Sequence, residues 1–146
     1  MFARSAEPQL VQEYVNTGRV RYVFKHFPFL GDVSYYAAEA SECAGEQAKF
    51  WEYHGLLFAR WQGEGVGTFL PERLKEYAGE LGLDGTAFAA CLDSRKYEGA
   101  VLADKEAGLA AGVKYTPTLF LNGEHMGAPR DYEELKGLIE AALAGQ

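Results

Sequence analysis

The sequence predicts an α/β domain in which a block of helices interrupts one sheet. Three stretches carry that prediction. Arg19 to Phe29 holds Val20, Tyr22, Val23, Phe24 and Phe27, a nearly continuous apolar, β-prone run of the kind found in strands covered on both faces. Thr118 to Leu121 is a second apolar run. The Asn122-Gly123 pair after it predicts a hairpin turn into a strand around Glu124 to Met126, because both residues tolerate positive φ. Residues 32–111, between the two runs, carry helical spacing and form the expected insertion.

Composition sets the bounds. A length of 146 residues suits a single domain, residues 1–146, with a sizeable core. Apolar residues make up 48% and aromatic residues 14%, so the chain is expected to be globular. A net charge of −7 argues against a nucleic-acid partner, which would favour a basic face. No apolar run is long enough for a membrane span. The start, Met1-Phe2-Ala3-Arg4-Ser5-Ala6-Glu7, lacks the apolar core of a signal peptide. The expected location is therefore cytosolic, unless a targeting segment lies outside this sequence.

Taken in order, Ala3 to Thr17 predicts a helix, with Leu10, Val11, Tyr14 and Val15 on one face and Gly18 as its stop; Pro8 sits awkwardly in it. The strand over Arg19–Phe29 follows and is ended by Pro28 and Gly31. Lys25 and His26 fall at its C-terminal end, where open α/β sheets place their sites, although a solvated strand end is the simpler reading. Asp32 to Trp61 is helical with a break near Gly45. Phe50, His54, Leu57 and Trp61 form an apolar stripe, flanked by Trp51 and Phe58. His54 reads as a partly buried helix residue with a hydrogen-bond partner.

Gln62 to Thr68 is glycine-rich but lacks the Lys-Ser/Thr ending of a phosphate loop, so it reads as a linker. Leu70, Leu74, Tyr77 and Leu81 mark the next helix, with Pro71 in its first turn. Asp84 caps a short helix carrying Phe88, Cys91 and Leu92. Ser94 is expected to cap a helix running to Ala111, with Tyr97, Val101 and Leu109 inward. Asp131 caps the last helix, whose apolar face is Leu135, Leu138, Ile139 and Leu143.

Few residues carry reactive chemistry. The cysteines, Cys43 and Cys91, stand 48 apart and form no Cys-x-x-Cys. Their spacing leaves three readings open: two buried thiols, a disulfide, or a redox-active pair. His26, His54 and His125 show no metal-ligand spacing, so no metal or cofactor is expected. Glu46, Glu52, Glu76 and Glu80 fall on polar helix faces. Pro117 stands at a strand start, one of the few sheet positions that can spare an N–H, and its residues alone leave a trans or a cis bond open.

Four stretches together resemble one family. They are Val20-Arg21-Tyr22-Val23-Phe24-Lys25-His26-Phe27-Pro28, Cys43-Ala44-Gly45-Glu46-Gln47-Ala48-Lys49-Phe50-Trp51, Cys91-Leu92-Asp93-Ser94, and Gly112-Val113 followed by Thr116-Pro117-Thr118. They span nearly the whole chain and resemble the DsbA-like thioredoxin-fold disulfide oxidoreductases of the bacterial envelope. The resemblance implies a thioredoxin-like fold with an inserted helical block, and a cis Thr116–Pro117 peptide that meets the backbone of a substrate. It also implies a structural disulfide between Cys43 and Cys91, hence an oxidising, extracytoplasmic compartment.

One departure accompanies the resemblance. The family's Cys-x-x-Cys opens its first helix, with a phenylalanine a few residues later, and Phe2 looks like that phenylalanine. By this reading the sequence starts after the catalytic dithiol and after the first central strand. It would hold no catalytic residue of its own and would be inactive in exchange alone. The implied partners are protein or peptide thiols and disulfides. A non-catalytic peptide-binding or assembly module is the alternative. With a central strand absent, the exposed sheet edges predict a homodimer.

Overall fold

In the computed structural model, which describes residues 2–145, the first helix, α1 (Phe2–Leu10), runs through Pro8 and widens into a π-helical turn at Val11–Val15. The Asn16 N–H donates to the Val11 carbonyl five residues back, at 2.9 Å. Gly18, at φ +74°, ends the segment, a conformation that L side chains rarely adopt. The helix expected over Ala3–Thr17 is thus present, with a π turn at its end.

The chain divides into two compact units, Met1–Phe24 with Leu109–Gln146, and Lys25–Gly108. In the first unit, β1 (Leu119–Leu121) and β2 (Glu124–Gly127) pair antiparallel, with Phe120 opposite His125 and Leu121 opposite Glu124. Asn122 and Gly123 turn the hairpin at φ +51° and +85°. A bulge between Leu119 and Phe120 breaks the register. The last helix of this unit runs Tyr132–Ala144. Its Tyr132, Leu135 and Ile139 bury against Ala6, Leu10 and Tyr14, and Val20, Tyr22, Leu119 and Leu121 pack on that core half-buried.

The strand expected over Arg19–Phe29 is corrected by the structure. These residues join no sheet among the described residues, where the one sheet is β1–β2. Over residues 19–24 the burial alternates: Val20, Tyr22 and Phe24 turn inward, while Arg21 and Val23 are exposed. An apolar, β-prone run specifies strand propensity, but a strand needs a partner to hydrogen-bond with.

The second unit is helical: α2 (Asp32–Gly45), α3 (Phe50–Arg60), α4 (Pro71–Glu80), α5 (Gly85–Asp93) and α6 (Glu98–Ala110, its last residues in the first unit). The helix of the first unit over Tyr132–Ala144 is therefore α7. The break near Gly45 is a tight turn with Ala48 at φ +58°. Tyr53, Leu74, Phe88 and Leu92 are almost wholly buried in one core, and the Tyr53 hydroxyl donates to the Leu74 carbonyl at 2.7 Å. Asp84 caps α5 by accepting from the Ala87 N–H at 2.9 Å. Ser94 does not begin α6 as expected. It closes α5, and its hydroxyl donates to the Cys91 carbonyl. Arg95 follows at φ +54°, held by fully buried Glu39, which accepts from Nε and Nη2. On α6 Val101 is buried, but Leu109 is exposed rather than inward.

Candidate functional site

In the first unit Pro117 lines a cavity of about 160 Å³. The first turns of α1 supply Phe2, Ser5 and Ala6, and the loop between β2 and α7 supplies Ala128, Pro129, Arg130 and Asp131. The Thr116–Pro117 peptide is cis, and both residues are exposed. The turn before β1 is tied locally: the Thr118 hydroxyl donates to the Tyr115 carbonyl at 2.6 Å. Gly127, at φ +74°, lies beneath the Tyr115 hydroxyl, which a β-carbon there would meet at 3.3 Å.

The far wall is set by a helix start. Asp131 caps α7, accepting from the Glu134 N–H at 2.9 Å. Glu134 reaches back, and one of its oxygens accepts from the Arg130 backbone N–H at 2.7 Å and from Arg130 Nε at 3.2 Å. The Arg130 N–H and guanidinium hold the Glu134 carboxyl below the usual carboxylate range. Within α1, Glu7 is buried and interacts with Tyr22. Burial first, and then the Glu7 carboxylate, push the Tyr22 phenol well above its ordinary range.

The other sequence candidates lie in the second unit. Cys43 on α2 and Cys91 on α5 are joined, with S–S 2.05 Å and Cα–Cα 5.9 Å, and both are buried. The expectation of an inactive chain draws no support here, because the chain holds a formed disulfide. His26 is not the solvated strand end that was the simpler reading. It is buried, its Nε2 lies 2.8 Å from Glu42 Oε1, and its backbone N–H donates to Asp104 at 3.1 Å. Lys25 reaches the same Asp104 at 2.8 Å. His54 is buried among the rings of Phe50, Trp51 and Phe58. Arg130, Glu134 and the Glu7–Tyr22 pair went unmarked in the sequence. The one available signal was the spacing of Asp131 and Glu134, which is that of a capping pair.

A helical insertion, a proline-led hairpin beside the first helix and a closing helix define a DsbA-like thioredoxin fold. The model of the thioredoxin family matches residues 1–141, and the chain belongs to that family. Among curated relatives, it is 38% identical over 146 residues to Na(+)/H(+) antiporter NhaA 3 of Salinispora tropica, covering 98% of this chain and 22% of the antiporter. It is 25% identical over 142 residues to disulfide bond formation protein D of Bacillus subtilis, covering 95% of this chain and 64% of that protein. The oxidised crystal structure of BdbD from Bacillus subtilis superposes with a TM-score of 0.89 at 25% identity, over 99% of this chain and 80% of that one. The chain thus spans about a fifth of the antiporter's length and just under two thirds of protein D. No helix among the described residues is long and apolar enough to cross a membrane.

Proposed function

We propose that this chain serves thiol–disulfide exchange on protein substrates, in an extracytoplasmic compartment. In this reading Thr116 and Pro117 meet the backbone of a peptide thiol or disulfide, Cys43–Cys91 is a structural bridge, and the thiol that exchanges with the substrate is not one of the two cysteines of this sequence. One observation carries the reading: Pro117, the first turns of α1 and the loop before α7 converge on a single cavity, in a fold shared with a protein of disulfide bond formation. Its walls suit the chemistry. Exposed backbone beside Pro117 is open to an extended peptide. The formed Cys43–Cys91 bridge favours an oxidising compartment.

The test is an NMR titration of labelled protein with an extended, amidated peptide holding one cysteine. Amide shifts should gather at Thr116, Thr118, Ala128 and Arg130, and Pro117→Ala should weaken binding roughly tenfold, equivalent to about 1.4 kcal/mol. Shifts confined to α2–α6 would sink the reading.

The antiporter relatives favour a second reading, in which such a domain works beside a membrane transporter. Co-purification of a tagged chain with a co-expressed antiporter of that kind from solubilised membranes would support it. Complete recovery of the chain without the antiporter would remove it.

A further inference from the structure

We propose that Arg130 makes this cavity select a carboxylate beside the cysteine of its substrate, an extension that rests on the reading of Thr116 and Pro117 above. Arg130 lines the same cavity as Pro117, and most of the other lining side chains are apolar: Phe2, Ala6, Ala128 and Pro129. Arg130 carries the positive charge of this lining and is therefore the group that can favour an acidic neighbour of a seated residue.

Arg130 is also positioned for that role. Its backbone N–H and its Nε both bond one oxygen of Glu134, and the Glu134 backbone is in turn fixed by the Asp131 cap. The stem of the side chain is thereby held from one side. The two Nη groups make no hydrogen bond among the described residues, and the side chain is 86% exposed. What remains is a planar fork facing solvent, whose geometry matches the two oxygens of a carboxylate. Asp131, the other charged group of the lining, has Oδ1 engaged in the cap.

The negative charge of Asp131 in the same lining opposes the selection, and two further effects help set its size. The net charge of −7 repels acidic peptides. That repulsion is screened over roughly 8 Å at physiological salt, so distant carboxylates matter little against a contact at the rim. Glu134 already neutralises part of the Arg130 charge, and exposed ion pairs are weak. The expected preference is therefore modest, about three- to fivefold.

The experiment measures calorimetric affinities for paired, amidated cysteine peptides that differ by Glu or Gln, placed in turn at each position beside the cysteine. The Glu peptide should bind about three- to fivefold tighter at one of these positions. Raising the salt should shrink the ratio, Arg130→Ala should bring it to one, and Arg130→Lys should keep part of it. A Gln peptide with a free C-terminus, compared with its amide, shows whether a terminal carboxylate serves as well as a side chain; a gain confined to the terminal acid would overturn selection beside the cysteine. Equal affinity for Glu and Gln at every position would overturn the role of Arg130 and leave the Pro117 reading standing. Failure to bind any of the peptides would overturn both.

Discussion

Cys43 and Cys91 tie α2 to α5 inside the core of the second unit. A bridge with a sequence separation of 48 constrains the unfolded chain by about 4 kcal/mol in the chain-entropy model, so Cys43→Ala with Cys91→Ala should cost about 2–4 kcal/mol. Urea unfolding of the oxidised wild type and the double variant checks this; equal midpoints would remove the structural role. The sequence held both cysteines but not their distance. Helical spacing places each on a helix face, whereas a Cα–Cα distance of 5.9 Å is a product of how α2 and α5 pack. The same limit hid His26, which meets Glu42 of α2 and Asp104 of α6, whereas Arg130 and Glu134 stand four residues apart and were locally readable. The cis peptide at Thr116–Pro117 was legible through the resemblance of its surrounding motif, since the residues alone left cis and trans open.

Between elements, α7 is bound to the end of the first helix by charged contacts. The Tyr14 hydroxyl donates to Glu140 at 2.6 Å, Arg19 pairs with the same carboxylate at 3.0 Å, and Lys136 reaches Glu13 at 2.8 Å. The Tyr14 hydrogen bond first, and Arg19 second, hold the Glu140 carboxyl below the usual range. A carboxyl with a depressed folded pKa contributes stability above its unfolded pKa and loses it as pH falls through the folded one. Glu140→Gln should therefore flatten the acid limb of the stability curve, measured by urea midpoints from neutral pH downward. An acid limb as steep as that of the wild type would show that Glu140 adds nothing. Most helices were legible, because the 3.6-residue period and the caps Asp84 and Asp131 are local signals. Ser94 was misplaced because a serine between two helices can close one or open the next. The run Arg19–Phe29 was misread because propensity is local and pairing is not.

For the molecule as a whole, the two-stranded sheet is the element open to association. A two-stranded ribbon is marginal by itself in water, and β1–β2 gains its support from Leu119 and Leu121 packing on the core of α1 and α7. Each strand keeps one edge that no described strand covers, and such edges are templates for another chain. In the same unit Val23, Tyr115, Phe120 and Leu109 expose apolar surface. The net charge of −7 opposes association at long range, and salt screens that term without weakening backbone pairing. The expected outcome is reversible homodimerisation that strengthens as salt is raised. Phe120→Lys places a charge on an exposed strand position, the device by which natural sheets blunt their edges, and should return the chain to monomer. Sedimentation equilibrium at micromolar concentration, at low and high salt, decides the matter: a wild type that stays strictly monomeric in both would show that these edges do not pair with a second copy.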